Sequence, residues 1–168
     1  RQGQRSGRPA RKGGVEWGSA LDSQRRCRGR GPPLPAMLGA GVAALEGKLY
    51  AVSGRVEEEE EAEVDRPANT VERYDPATNA WEEVAPMATG RSYHAVAELD
   101  GKLYAVGGYN SDNGVLSSVE RYDPMTNVWE EVAPMTRARY FHGVAVLAGQ
   151  LDALGGASID APRNSVER

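Results

Sequence analysis

Short apolar stretches alternate with glycine- and proline-containing turns over most of the chain, most clearly from residue 94 onward. Two apolar runs, residues 94–99 and 102–106, are joined by Asp100-Gly101, a dipeptide that favours the tight turn of a β-hairpin. Two more strands are expected at residues 117–122 and 128–132, separated by a turn containing Asp, Pro and Asn. This stretch therefore predicts a four-stranded antiparallel meander, whose strands we call A, B, C and D in chain order.

The meander is repeated along the chain. The segments VERYDPATNAWEEVAPM (71–87) and VERYDPMTNVWEEVAPM (119–135) agree at 15 of 17 positions with an offset of 48 residues. The same offset relates Arg91 to Arg139 and His94 to His142, while residues 40–54 match residues 94–108 at 10 of 15 positions with an offset of 54. Because a single sheet of this size cannot bury both faces, the repeated sheets are expected to stack on one another.

Several elements recur in phase and resemble Kelch repeats: a double glycine at the end of strand B, and a Tyr followed seven residues later by a Trp in strands C and D. The repeat positions that carry this resemblance are Gly107, Gly108, Gly155, Gly156, Tyr74, Trp81, Tyr122 and Trp129. The glycines suit positive φ or close backbone approach, and the aromatic residues suit packing between sheets with one hydrogen bond each. The resemblance implies an all-β fold, a Kelch-type β-propeller fragment with two four-stranded antiparallel blades plus a partial third.

The repeats divide the chain into a disordered Arg/Gly/Pro-rich leader (1–36) and three Kelch repeats at 37–86, 87–134 and 135–168. The first repeat is atypical, with an acidic B–C loop (55–70), Ser53 in place of the first glycine and Ala40 in place of the histidine. The third stops before its strand D, and Asp152 replaces the tyrosine found earlier at Tyr104. We expect an open arc with exposed apolar sheet faces, and a buried carboxylate at Asp152 that needs a partner.

Charge is distributed unevenly. Residues 1–36 carry a formal charge of +7, whereas residues 37–168 carry −11, so the folded part should not attract nucleic acid and suits a basic or neutral partner surface. The leader is either an Arg/Gly-rich RNA-binding arm around residues 28–31 or a disordered, even wrongly translated, segment. The run at residues 57–61 either attracts a basic peptide or forms a solvated, mobile loop.

Composition favours a cytoplasmic protein without metal or membrane contact. Cys27 is the single cysteine, and no apolar run approaches the roughly 20 residues of a membrane helix. His94 and His142 hold equivalent places in successive repeats, which argues against a shared metal site. We therefore expect no metal, no cofactor and no membrane partner.

Partner binding is expected on one face of the stacked sheets. In an antiparallel meander, the segment leading into strand A and the B–C loop emerge together, and here the B–C loops vary in length and chemistry. We call this surface the loop face, and the opposite surface, made by the A–B and C–D turns, the turn face. The predicted partner-binding residues on the loop face are Arg91, Ser92, Tyr93, Tyr109, Asn110, Arg137, Arg139, Tyr140 and Phe141. Arg91 and Arg139 have an alternative role, since they recur in phase and could brace neighbouring blades through salt bridges.

Catalytic signatures are weak. Residues 39–44 match a dinucleotide fingerprint, but the repeat phase makes residues 41–45 strand A, so no helix can follow. The propeller is also similar to that of galactose oxidase, yet the tyrosyl-cysteine cofactor of such enzymes needs a cysteine in the folded domain, and Cys27 precedes it.

The resemblance to propellers of BTB-Kelch proteins implies a protein–protein interaction platform, not an enzyme. In such proteins the propeller recognises a protein substrate for a cullin-RING E3 ubiquitin ligase, and a BTB domain, which is not part of this sequence, contacts the cullin. Two alternatives remain open at this point: an actin-binding cytoskeletal Kelch protein and a galactose-oxidase-like enzyme.

Overall fold

The computed structural model describes residues 37–56, 67–158 and 165–168, and within these ranges every regular element is a β-strand. In chain order the strands are β1 (Met37–Leu38), β2 (Gly41–Leu45), β3 (Lys48–Val52), β4 (Arg55–Val56), β5 (Val71–Asp75), β6 (Ala80–Val84), β7 (Ala95–Leu99), β8 (Lys102–Val106), β9 (Tyr109–Asn110), β10 (Gly114–Val115), β11 (Val119–Asp123), β12 (Val128–Val132), β13 (Gly143–Leu147), β14 (Gln150–Leu154) and β15 (Val166–Glu167). No helix in this part of the chain is long and apolar enough to cross a membrane. The leader and the acidic run at 57–61 lie outside the described residues.

Three antiparallel sheets follow one another along the chain, and we call each a blade. Blade 1 has the strand order β2-β3-β5-β6, blade 2 has β7-β8-β11-β12, and blade 3 has β13-β14-β15. Two further pairs of short strands lie outside the blades: β1, before strand A of blade 1, pairs with β4 in its B–C loop, and β9 and β10 form a hairpin within the B–C loop of blade 2. The predicted meander is confirmed, with strand ends that differ from the predicted ones by at most two residues.

The turns have the geometry that their sequences predict. Asp100 and Gly101 have φ angles of 52° and 71°, the left-handed conformation that both central residues of a tight type I′ hairpin turn require. In the C–D turn of blade 2, the Asp123 carboxylate accepts a hydrogen bond from the Met125 backbone N–H at 2.9 Å. Asp75 accepts the equivalent bond from Ala77 in blade 1, so the turn face is built twice in the same way.

Blade 2 packs on blade 1 through a shared apolar core, contributed by Leu45, Tyr50, Val52, Val71, Val84 and Met87 from blade 1 and the segment after it, and by Leu103, Ala105, Tyr122 and Trp129 from blade 2. Trp129 donates its indole N–H to the Ala85 carbonyl of the preceding blade at 2.9 Å. Tyr122 lies 5.8 Å from the Tyr50 ring, centroid to centroid, and donates its hydroxyl proton to Asn127. The predicted role of this aromatic pair in packing between sheets is therefore confirmed.

The outer faces of the described arc are less covered. Leu103 in blade 2 is fully buried, but Leu49 at the equivalent place in blade 1 is 44% exposed. Tyr74 and Trp81, which pair with each other at 5.2 Å, are correspondingly only half-buried. At the other end, Leu147 of blade 3 is 62% exposed. The described residues thus leave an apolar surface at each end of the arc, as the sequence predicts.

Asp152 obtains a partner from the neighbouring strand. Its carboxylate accepts two hydrogen bonds from the Arg168 guanidinium, at 2.7 and 3.0 Å, and this contact holds the pKa of Asp152 below its usual range. In blade 2 the same cross-strand pair is Tyr104 opposite Arg121. The substitution of tyrosine by aspartate therefore places a negative charge where the repeat already supplies an arginine, which removes the cost of an unpaired buried carboxylate.

The second glycine of each pair lies where a blade touches the segment leading into its own strand A. Gly108 has a φ angle of 104°, and a Cβ added there would lie 2.7 Å from the Ser92 carbonyl oxygen and 2.8 Å from His94 Cβ. Gly156 repeats this geometry in blade 3, against Tyr140 and His142. Both predicted features, positive φ and close approach, are confirmed.

Gly108→Ala is expected to lower the free energy of unfolding by about 2 to 3 kcal/mol, because backbone strain and overlap act together. Urea denaturation of the full chain measures the change. Gly101→Ala, with φ 71° but nothing within 4 Å, should cost only about 1 kcal/mol of strain. Gly143→Ala, where a Cβ has free space and no positive φ is present, should change stability by less than about 0.5 kcal/mol. Equal losses in the three variants would contradict the close approach.

Candidate functional site

The loop face forms by direct backbone pairing between the two kinds of segment that meet there. In blade 2, Ser92 and Tyr109 exchange two backbone hydrogen bonds of 2.9 and 2.8 Å. Tyr140 and Ala157 make the equivalent pair in blade 3, at 3.0 and 2.8 Å. The segment leading into strand A and the start of the B–C loop therefore lie side by side, as predicted for this face.

Arg91 lies beneath this face and is fully buried. Its guanidinium donates to a Glu120 carboxylate oxygen at 2.6 Å and to the carbonyls of Gly107 and Ser118 at 2.8 and 3.1 Å. The Glu120 carboxylate also accepts the backbone N–H groups of Ala88 and Thr89, at 2.7 and 3.1 Å. This cluster fastens the connector between blades 1 and 2 to the centre of blade 2.

Arg139 repeats the arrangement one blade later and is also fully buried. It donates to a Glu167 carboxylate oxygen at 3.1 Å and to the carbonyls of Gly155 and Ser165 at 3.1 and 3.2 Å. The placement of Arg91 and Arg139 among the partner-contacting residues is therefore corrected, because both cations are enclosed and paired. Both arginines instead match the alternative role that the sequence left open, that of bracing the blades through salt bridges.

Two further predicted contact residues are buried as well. Ser92 is 3% exposed and lies within the backbone pair with Tyr109. Asn110 is 8% exposed, donates its amide to the Gly90 carbonyl at 2.6 Å and accepts the Asp112 backbone N–H at 2.8 Å. Both side chains shape the loop face from within, so their prediction as direct contacts is also corrected.

The accessible residues of the predicted set are mostly aromatic. Phe141 is 64% exposed, Tyr109 is 37% exposed, and Tyr93 and Tyr140 are half-buried. These four rings, which we call the aromatic cluster, make a chain of contacts: Tyr93 to Phe141 at 4.3 Å, Phe141 to Tyr140 at 5.0 Å, and Tyr140 to Tyr109 at 6.4 Å between centroids. Arg137 is exposed in the connector before blade 3.

A polar cavity of about 310 Å³ lies beside the aromatic cluster on the loop face. It is bounded by residues 67–69 of blade 1, residues 88–90 of the connector, and residues 110–113 of the blade 2 loop. Among the described residues that line it, Asp112 alone carries a charge. A larger cavity of about 430 Å³ lies between blades 2 and 3, lined by Val119, Val144 and Leu151, and belongs to the packing of the blades.

The two histidines lie behind the loop face, against the glycine positions of neighbouring strands. Burial, followed by the charges of Arg91 and His142, lowers the pKa of His94 from 6.5 to about 3. Burial and then Arg139 lower the pKa of His142 to about 4. Both imidazoles are therefore neutral at pH 7. Within the described ranges, no group of three His, Cys, Asp or Glu side chains is placed to hold a metal ion.

Antiparallel four-stranded meanders that stack face to face define the blades of a β-propeller. The Kelch motif matches two consecutive segments of the sequence, residues 36–88 and 90–136. The chain therefore belongs to the Kelch-repeat family and carries part of a protein-interaction propeller. Members of this family are mostly interaction modules without enzymatic activity.

Relatives agree with this assignment. The chain is 44% identical over 82 residues to the influenza virus NS1A-binding protein homolog of Mus musculus, over 49% of this chain and 12% of that protein. It is 39% identical over 71 residues to Kelch-like protein 35 of Mus musculus, over 42% of this chain and 11% of the relative. It is 35% identical over 79 residues to Kelch repeat and BTB domain-containing protein 12 of Danio rerio, over 45% of this chain and 13% of the relative. The matched part is thus a small portion of each relative.

Proposed function

We propose that the loop face recruits protein substrates for a cullin-RING E3 ubiquitin ligase in the cytoplasm, with this chain as part of the substrate-recognition propeller of an adaptor. The observation that carries the proposal is the aromatic cluster, which exposes Phe141 and Tyr109 on an ordered backbone. Exposed aromatic side chains held in place are typical anchors of protein interfaces. The relatives include a Kelch-like protein and a Kelch repeat and BTB domain-containing protein, and these names support the adaptor role.

In this arrangement the two tasks are separated in space. The buried Arg91–Glu120 and Arg139–Glu167 pairs hold the connectors, and hence the aromatic cluster, at fixed positions. The substrate contacts the cluster, while contact with a cullin requires a BTB domain outside these residues. The propeller fragment should therefore bind a substrate without delivering it to the ligase.

Binding at the loop face can be tested with a photo-crosslinking amino acid introduced at position 141. Cell extract irradiated with this variant is expected to give discrete protein adducts, identified by mass spectrometry. The matched control places the same group at Met125, which is 91% exposed on the turn face. Adducts of equal yield from both positions would contradict a binding site on the loop face. An adduct dominated by actin would favour the cytoskeletal alternative over the adaptor.

The ligase step has its own test. Because the fragment occupies the substrate without recruiting a cullin, its overexpression should raise the cellular level of the crosslinked partner and lower its ubiquitin conjugates. Phe141→Ala should abolish this effect, and Met125→Ala should preserve it. A partner that binds through Phe141 but keeps its level and its ubiquitin conjugates unchanged would reject the ligase role.

A further inference from the structure

Three asparagines of the described ranges lie in hairpin turns, and their surroundings differ. Asn79 and Asn127 occupy equivalent places in the C–D turns of blades 1 and 2, on the turn face. Asn113 lies in the turn between β9 and β10, on the loop face. It is followed by Gly114, and no other asparagine in the sequence is followed by glycine. The chemistry open to each asparagine depends on how its amide is held and on the residue that follows.

The side-chain amides of Asn79 and Asn127 are held in place by hydrogen bonds. The Asn79 Oδ1 accepts a hydrogen bond from the Tyr74 hydroxyl at 2.8 Å. The Asn127 Oδ1 accepts one from the Tyr122 hydroxyl at 2.9 Å and one from the Ala85 backbone N–H at 3.0 Å. Neither amide can turn toward its own backbone without breaking these bonds.

The side-chain amide of Asn113 is held more weakly. Its Nδ2 lies 3.4 Å from the Asn110 Oδ1, which is longer than a usual N–H···O hydrogen bond. That oxygen also accepts the backbone N–H groups of Asp112 and Asn113, at 2.8 and 3.2 Å. Residues 111–113 are exposed, so water reaches the amide. The Asn113 side chain can therefore rotate toward the next peptide bond without losing a strong contact.

The residue after Asn113 leaves the backbone nitrogen open to reaction. Gly114 has a φ angle of 72°, which glycine adopts without strain, and it has no side chain to hinder an approach to its nitrogen. Ala80 and Val128 follow the other two turn asparagines, and the β-branched side chain of Val128 crowds its own backbone. Asn113 alone among the three thus combines a weakly held amide with an unhindered neighbouring nitrogen.

We infer that Asn113 is a site of spontaneous deamidation, a reaction to which asparagine owes part of its thermal lability. The Gly114 nitrogen loses its proton and bonds to the Asn113 Cγ, which closes a succinimide ring. The bond from Cγ to the side-chain nitrogen breaks, and that nitrogen leaves as ammonia. Water then opens the ring at either carbonyl, which gives aspartate or isoaspartate. The reaction consumes one water molecule and needs no binding partner, so it goes beyond the proposed function.

Both products alter the loop face where it borders the polar cavity. Aspartate adds a carboxylate beside Asp112 and removes the amide that faces Asn110. Isoaspartate also lengthens the backbone by one methylene within the turn that sets the pairing of Gly114 with Asn110. The Asn110 amide fastens this loop to the Gly90 carbonyl of the connector at 2.6 Å. Isoaspartate is therefore expected to open the β9–β10 hairpin and loosen its attachment to the connector.

Peptide mapping by mass spectrometry of the full chain, aged at physiological pH and temperature, measures the reaction. Conversion adds about one mass unit, because OH replaces NH2, and chromatography separates the aspartate and isoaspartate peptides. Asn113 is expected to convert at least about tenfold faster than Asn79 or Asn127, a ratio equivalent to about 1.4 kcal/mol in activation free energy. Gly114→Ala, with folding checked by circular dichroism, should slow the conversion. Conversion of Asn113 no faster than that of Asn127 would overturn the inference, whether or not the loop face binds a partner.

Hydrogen–deuterium exchange of fresh and aged chain measures the effect on the loop. Amide protection over residues 109–116 should fall as isoaspartate accumulates. Asn113→Gln, whose longer side chain closes the corresponding ring less readily, should age without this loss. Freshly prepared Asn113→Asp, which adds the charge but no backbone methylene, should keep the hairpin protected. Unchanged protection in aged chain that contains isoaspartate would overturn the predicted opening of the hairpin.

Discussion

Glu120→Ala is expected to lower the free energy of unfolding by about 3 to 5 kcal/mol, the scale measured when one partner of a buried ion pair is removed. The substitution leaves the fully buried Arg91 guanidinium without its carboxylate. It also removes the acceptor for the backbone N–H groups of Ala88 and Thr89. Chemical denaturation of the full chain, followed by circular dichroism, measures the loss.

The control is a second glutamate of the same blade. Glu130 pairs with Arg121 at the surface, where solvent screens the charges, so Glu130→Ala should cost less than about 1 kcal/mol. Arg91→Met combined with Glu120→Ala should recover part of the loss, because the uncompensated cation is then gone. Equal effects of the two single glutamate variants would show that the Arg91–Glu120 pair is not enclosed as described.

Acidification from pH 7 to pH 5 is expected to destabilise the fold by about 4 kcal/mol, about 2 kcal/mol from each buried histidine. The folded-state pKa values are depressed, to about 3 for His94 and about 4 for His142. Below the unfolded value of 6.5, the unfolded chain therefore binds more protons than the folded chain, and stability falls as the pH falls. The loss begins near pH 6.5 and continues until the folded imidazoles are themselves protonated.

The titration of carboxylates does not obscure the loss of stability that the histidines cause between pH 7 and pH 5. The folded pKa values of Asp75, Asp123 and Asp152 are lowered from an already acidic reference, so their contribution is lost only at lower pH. The variant His94→Ala with His142→Ala copies the Ala40 of blade 1 and should show a much flatter dependence between pH 7 and 5. The midpoint of urea unfolding at each pH gives the slope. A flat profile in the parent chain, or an unchanged slope in the double variant, would contradict the burial of neutral imidazoles.

Local sequence determines most of the blade geometry, which is why it could be predicted. The Asp100-Gly101 turn sets the register of the A–B hairpin, and its left-handed φ angles are what this dipeptide favours. Gly108 was recognisable because it recurs in phase at a strand end. The strand ends that differ from the predicted ones by one or two residues depend on backbone hydrogen bonds between segments distant in sequence, such as the one from the Gly107 N–H to the Ser118 carbonyl just before strand C of blade 2.

The buried carboxylates were missed, although the sequence contained a signal for them. Glu120 and Tyr122 are two residues apart in one strand and so point to the same face of the sheet. Since Tyr122 was expected to pack between blades, a recurring glutamate beside it needs a buried cation, and Arg91 recurs in phase. The alternation of side chains along this strand, taken together with the repeat, predicts the Arg91–Glu120 ion pair. It also indicates that Arg91 is buried and does not contact a partner.

The composition of the loop face could be predicted only in part. Two of the predicted aromatic residues are accessible: Phe141 in the segment leading into strand A of blade 3, and Tyr109 in the B–C loop of blade 2. Ser92 and Asn110 resemble contact residues in sequence, but their burial depends on how the B–C loop folds back on the connector. That arrangement depends on contacts between two loops, which periodicity along a single chain does not encode.

Hydroxyl-radical footprinting with and without the partner captured at position 141 tests the central claim, that the loop face is the binding surface, most directly. In the free chain, Phe141, Tyr109 and Met125 should be oxidised readily, and buried Tyr122 should be protected. Binding is expected to protect Phe141 and Tyr109 while leaving Met125 on the turn face unchanged. Protection of Met125 with unchanged oxidation of Phe141 and Tyr109 would contradict the account.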